Sequence, residues 1–338
     1  MHRLFGRRAL RLLCSKVIPI TLLLPVQLIY SQGPEPSSGQ AISSSPVWRS
    51  EHASHLLGLM ELAPNLKGSL ALSPNGVVFT TPSGETTIEH GHVLAVSAGN
   101  VRMEMGGKAG RVGRMLIPFG GGAVLAAVAQ GQVDLLTVEF RDVHDAYHGA
   151  VFLLPKSEAL AAAKVFGLPL AQGSAEEEGQ ACGDVPTAPA SMKLASIAVE
   201  GQPIPAEYRV LLYEQMIRGI HADARFGQIF RDGDRSPAAH CPEFQLKLTL
   251  TTFTKGNAAL RSTAGPLGLF WGVTSLKVHV QLVDRSGAVI FNRDFKESER
   301  GDTDTLDIAN KIAKSVTKKL KKTAAHHKVE LEPPPAKS

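Results

Sequence analysis

Between residues 244 and 282 the chain twice alternates apolar and polar side chains without interruption. Phe244, Leu246, Leu248 and Leu250 are separated by Gln245, Lys247 and Thr249, and Leu276, Val278, Val280 and Leu282 repeat the pattern. A period of two is the signature of a strand with one face buried and the other wet, and no helix satisfies it. Asp284-Arg285-Ser286-Gly287 then turns the chain into a further strand over 288–295. The apolar face of such strands must be buried against another layer. Pro205 opens one helix, with Val210, Tyr213, Met216, Ile217 and Ile220 on one side. A second runs over 305–322, with Ile308, Ile312, Val316 and Leu320 spaced by four. Aspartates 302, 304 and 307 sit at its N-terminus and lysines 318, 319, 321 and 322 end it, complementing the helix dipole at both ends. With buried-type strands at 194–199 and 226–230, residues 193–323 read as an α/β layer domain with a mixed sheet and a terminal amphipathic helix.

Residues 55–170 read mainly as strands. Leu70 and Leu72, then Pro74-Asn75-Gly76, then Val77-Val78-Phe79 predict a hairpin, Asn-Gly supplying positive φ angles. Residues 86–88, 93–96 and 101–105 continue the meander, and 133–140 with 149–154 form a second hairpin. Ser157 is expected to cap a helix over 158–166, with Ala159, Ala162, Ala163 and Phe166 inward. Pro, Gly, Ser and Gln enrichment marks 32–54 and 171–192 as linkers, and Pro333-Pro334-Pro335 marks 324–338 as a disordered tail. The fold class is therefore α+β, in two domains.

Residues 1–31 read as an export signal. Arg3, Arg7, Arg8, Arg11 and Lys16 precede an apolar run over 17–30, and Ile29-x-Ser31 offers a cleavage site. The run is shorter than the roughly 20 residues of a spanning helix and contains Pro19 and Pro25. A cleaved signal is expected, with an uncleaved N-terminal anchor as the alternative, and the periplasm, the cell envelope or the medium as destination. Cys14 precedes the apolar run and is not placed as a lipoprotein cysteine. The chain has 36 Lys+Arg and 31 Asp+Glu, and losing the five basic residues of the leader balances it. Nucleic-acid binding, which needs a lasting basic footprint, is not expected. Cys182 and Cys241 then remain, read as a disulfide in an oxidising compartment, with two free thiols as the alternative.

Two resemblances rest on particular residues. Gly68-Ser69-Leu70-x-Leu72-Ser73-Pro74-Asn75-Gly76-Val77-Val78-Phe79 and His148-Gly149-Ala150-Val151-Phe152 resemble the opening and penultimate strands of bacterial PH-like or GRAM-like domains. That likeness covers most of 65–168 and implies a β-barrel or sandwich closed by a C-terminal helix. Lipid-binding members carry basic residues around the first hairpin, and this turn has none. In the second half, Phe226-Gly227-x-x-Phe230, Gly256-Asn257-x-x-x-Arg261 and Leu276-x-Val278-x-Val280-x-Leu282-Val283-Asp284-x-x-Gly287 resemble the domain of unknown function of bacterial envelope lipoproteins. That domain is similar in layout to the TolB amino-terminal and curli-secretion lipoprotein domains, and the likeness covers nearly all of 193–321. The lipoprotein cysteine is absent, so neither tethering nor pore formation is implied.

No catalytic set stands out, and neither cofactor nor metal is expected. His90-x-His92 and Asp142-x-His144-Asp145-x-x-His148 offer imidazoles and carboxylates, but nothing in their spacing makes three or four ligands converge, and they are read as exposed turn residues. Lys108, Arg111 and Arg114 among glycines are candidate anion contacts. Leu267, Leu269, Phe270 and Trp271, in a glycine-rich loop, are the candidate partner contact. The expected function is a non-enzymatic binding or scaffold module for envelope proteins of unknown identity. The alternatives are a secreted hydrolase or metal-dependent enzyme whose site forms only on folding, and a peripheral membrane binder using lysines 311–322.

Overall fold

The computed structural model describes residues 46–104, 130–166, 190–222, 226–256, 273–299 and 306–326. Its first seven strands are β1 (Trp48–Leu57), β2 (Leu66–Ser73), β3 (Gly76–Thr81), β4 (Gly84–Glu89), β5 (Val93–Glu104), β6 (Gln130–Arg141) and β7 (Tyr147–Leu154), followed by helix α1 (Glu158–Phe166). They make one antiparallel sheet in the order β4-β3-β2-β1-β7-β6-β5. β1 joins its halves: Trp48 to His55 pair with β2, and Ser54 to Leu57 with β7. The sheet is open, so the closed barrel implied by the PH-like resemblance is not formed. Closure needs β4 to pair with β5, and β4 is an exposed edge in which only Ile88 is buried.

β1 also takes up residues 48–54, which the sequence pattern assigns to a linker. Its buried positions Ser50, Ala53 and His55 break the period of two, because a bulge falls between Ser50 and Ala53. The β2–β3 hairpin forms where expected, for a different reason. Ser73 pairs with Gly76, leaving Pro74 and Asn75 as the loop, and only Gly76 has a positive φ, +147°. A Cβ on Gly76 would lie 2.0 Å from the Ile88 carbonyl oxygen, so close approach of β4 is what demands glycine. Helix α1 buries Ala159, Ala162 and Phe166 against the sheet. Ser157 does not take the extended conformation of a capping serine; its φ is +73°.

The second sheet contains β8 (Met192–Leu194), β9 (Ala198–Val199), β10 (Ile229–Phe230), β11 (Phe244–Thr254), β12 (Thr274–Asp284) and β13 (Val289–Glu299). Its order is β10-β8-β11-β12-β13, with β9 also paired to β11. The alternating runs are β11 and β12, as expected, in antiparallel register from Phe244↔Asp284 onward. The single strand expected over 194–199 is instead two short strands parallel to β11. Helices α2 (Ala206–His221) and α3 (Asp307–His326) pack against each other, with α3 also on β12 and β13. Residues 324–326, given to the tail by composition, complete α3.

Helix α2 decides the architecture. Ten of its sixteen residues are buried, far more than one apolar stripe supplies. One side joins the core of the second sheet, and the other packs on β5, β6 and β7, where Leu57, Leu135, Tyr147 and Val151 share that core. The opposite face of the first sheet holds a separate core with α1, built on Leu70, Leu72, Phe79, Leu136 and Phe152. β7 is therefore covered on both faces, which explains its apolar run from Gly149 to Leu154. Among the described residues the class is α+β, mainly strands, with two sheets and three helices.

Candidate functional site

Where α2 lies on β6 and β7, the apolar contact encloses a polar cluster. Glu214 and Arg231 form a bidentate ion pair, Nη1 to Oε1 at 2.7 Å and Nη2 to Oε2 at 2.9 Å, with side chains only 4% and 9% exposed. Glu214 Oε1 also accepts from the Gly149 N–H at 3.2 Å, and Arg231 donates to the Tyr147 carbonyl at 3.0 Å. One acid on α2 and one cation after β10 thus bind the backbone of β7. The guanidinium lies 5.8 Å from the Tyr213 ring centre, and the Tyr213 hydroxyl accepts from the Asp232 N–H at 2.9 Å and donates to the Leu194 carbonyl at 3.3 Å. Tyr147 meets Tyr213 edge to face at 4.9 Å. The Tyr147 hydroxyl donates to Glu139 Oε2 at 2.7 Å, and Arg209 of α2 takes the other oxygen of Glu139.

The segment after β10 is stitched to the β6–β7 turn by main chain as well. The Tyr147 N–H donates to the Asp232 carbonyl at 2.8 Å, and the Arg235 N–H to that of His144 at 2.9 Å. Arg141 donates to the Asp145 carbonyl at 2.7 Å, and Arg235 pairs with the Asp145 carboxylate at 2.8 Å.

Burial sets the protonation of this cluster. It pushes both tyrosine hydroxyls well up, and at Tyr147 the neighbouring Glu139 acts in the same direction. It works to lower Arg231, but hydrogen bonding to Glu214 outweighs it and the guanidinium stays charged. His148 is pulled down by burial and by the positive charge of Arg231, against the opposing pull of Glu214 and Asp142. For Asp142, burial works upward but is overcome by the N–H groups of His144 and Ala146 and by the His148 side chain, so its carboxyl is held low.

The histidines fall in different places. His90 and His92 lie in a short turn before β5, where His90 is exposed beside the Phe166 ring, and His144 is exposed. His148 is not the exposed turn residue expected: it lies inside β7 with 2% exposure, stacked on Phe140 and 3.1 Å from Asp142. Among the described residues no group of three His, Cys, Asp or Glu side chains is placed to hold a metal. Cys241 is disulfide-bonded; Cys14 and Cys182 lie outside the described residues. So do Lys108, Arg111 and Arg114, and Leu267, Leu269, Phe270 and Trp271.

The sequence pattern singles out none of Glu139, Tyr147, Arg209, Tyr213, Glu214 and Arg231 as a polar group. One signal was present: Glu214 follows Val210 by four, directly after Tyr213 and three before Ile217, so it sits inside the apolar stripe of α2. A carboxylate there requires a buried cation or proton.

No family model matches the chain, and no curated protein matches it. Among solved structures it is similar to the hypothetical protein CT253 from Chlamydia trachomatis, at 10% identity over 40% of this chain and 98% of that one, with a TM-score of 0.30. It is also similar to PelC, solved as a dodecamer, from Paraburkholderia phytofirmans, at 17% identity, 39% and 89% coverage and TM-score 0.27. Protein XCC0632 of Xanthomonas campestris, of the DUF330 family, matches at 10% identity, 47% and 96% coverage and TM-score 0.28. Likeness at this level assigns neither fold nor function.

Proposed function

We propose that the chain is an exported cell-envelope protein that works as a non-enzymatic binding or scaffold module. The observation that carries this reading is the saturation of the two acids in its polar cluster. Each carboxylate oxygen of Glu214 and Glu139 is taken by a cation, a tyrosine hydroxyl or a backbone N–H, and both tyrosines are held protonated. General acid–base work needs a group with hydrogen-bond reach to a substrate, and these groups spend theirs on one another. The cluster acts as a staple between α2 and the first sheet. The first sheet with α1, and β11 to β13 with two helices on one face, are the layouts on which the PH-like and envelope-lipoprotein readings rest.

The test separates staple from site. Capture of partners from the native envelope is compared for the wild-type chain, for Phe270→Ala/Trp271→Ala, and for Glu214→Leu/Arg231→Met. The loop variant is expected to lose a specific partner and the staple variant to keep it. Loss of capture by a stably folded Glu214→Leu/Arg231→Met chain overturns the reading.

A further inference from the structure

The outer face of α3 carries a row of exposed lysines. Its inner stripe Ile308, Ile312, Val316 and Leu320 is at most 1% exposed, so the folded helix has no apolar face to insert into a bilayer. From 310 to 322 it carries six lysines and no carboxylate. Lys314, Lys318 and Lys322 are exposed and follow one another by four, a spacing at which like charges repel and at which Glu–Lys pairs are the stabilising choice. The helix dipole rewards cations only in the last turn, and Lys314 lies well before it.

The carboxylates of the neighbouring strand meet the beginning of the helix. Lys311 pairs with Glu299, and the Ser315 hydroxyl donates to Glu297 at 2.9 Å. The same step, four residues along α3 for two along β13, leads next to Phe295 and then to Arg293, which is exposed. By that step Lys319 lies level with Phe295 and Thr323 with Arg293, so this face of β13 carries no carboxylate beside the second half of the helix.

We infer that this ridge docks electrostatically, without insertion, on a plane of anionic phospholipid headgroups. The inference builds on the binding reading above and names the partner of a second surface. Protein interfaces are built around apolar and aromatic groups and are depleted in lysine, and this ridge exposes lysines alone. A straight, convex row of cations suits a flat surface whose headgroups can move sideways to meet each charge. A lysine near such a surface contributes roughly fivefold to partitioning, and the attraction dies within a Debye length.

The test is co-sedimentation of the full chain with vesicles of phosphatidylcholine alone, or with about one third phosphatidylglycerol, at low salt and at roughly 0.5 M salt. Binding is expected only with phosphatidylglycerol and only at low salt. Lys314→Gln/Lys318→Gln/Lys322→Gln should weaken it on the order of 100-fold. Lys247→Gln/Lys296→Gln, on the opposite face of the same sheet, should leave it unchanged, and thermal unfolding of both variants checks that they fold. Equal sedimentation of the triple variant, binding to phosphatidylcholine alone, or tighter binding to duplex DNA than to the anionic vesicles overturns the inference. Each of these outcomes leaves the envelope capture experiment unaffected.

Discussion

Removing Arg231 alone should be among the most damaging single changes in this protein. With Arg231→Met, Glu214 stays 4% exposed and keeps only the Gly149 N–H, losing both guanidinium bonds and its counter-charge. Breaking one side of a buried pair costs about 3–5 kcal/mol, because the remaining charge pays desolvation without attraction. The Tyr147 carbonyl also loses a donor, adding about 1 kcal/mol. Equilibrium urea unfolding should therefore show a loss of about 4–6 kcal/mol for Arg231→Met. In Glu214→Leu/Arg231→Met no charge is left behind, and most of the loss should return. A coupling energy of about 2 kcal/mol or more between the two sites is expected. If the single variant costs less than about 1 kcal/mol, or the double costs the sum of the singles, the pair is effectively screened by water and the staple argument fails.

Three further outcomes follow from the same contacts. A Cβ at Gly149 would come 2.5 Å from Val210 Cγ1, so Gly149→Ala should cost about 1–3 kcal/mol in urea unfolding, and Val210→Ala in that background should recover part of it. His148 has a folded pKa below its ordinary 6.5, so the unfolded chain takes the proton first; stability present above about pH 6.5 should fall as pH drops through the folded value, and His148→Gln should flatten that fall in pH-dependent unfolding. Non-reducing peptide mapping should find Cys241 joined to Cys182; that link closes a loop of about 60 residues, and its reduction should cost about 4 kcal/mol by the chain-entropy model. Recovery of a Cys14–Cys241 peptide in its place refutes that pairing.

Much of the framework was legible because period and punctuation agree in this chain. β11 and β12 are wet on one face and buried on the other, so their alternation survives in the sequence, and α3 has one buried stripe. β1 leaves no alternation in the sequence because a bulge breaks its period and its buried positions include Ser50 and His55. His148 reads as a turn residue because the polar run from Asp142 to Asp145 resembles an exposed turn, whereas β7 begins at Tyr147 and is covered on both faces. The candidate cluster was illegible for a deeper reason. Glu139, Glu214 and Arg231 lie far apart in sequence, and the structure joins them only because α2 serves both sheets.

That double service explains why a charged pair is kept where apolar residues would pack as well. α2 is buried on most of its circumference, and an apolar helix between two apolar surfaces can rotate or slide at little cost in burial, which is non-directional. Two devices remove that freedom. Gly149 leaves a notch into which Val210 fits, fixing the axial position on β7. Glu214 must meet both a fixed guanidinium and the Gly149 N–H, which fixes the rotation about the helix axis. Notch and ion pair fall one helical turn apart, at residues 210 and 214, so a slip that satisfies one violates the other. The pair is thus best understood as setting the register of α2 between the sheets. The apolar replacement pair should then fold with near-native stability but with faster hydrogen exchange along β7, where the N–H of Gly149 would have lost its acceptor.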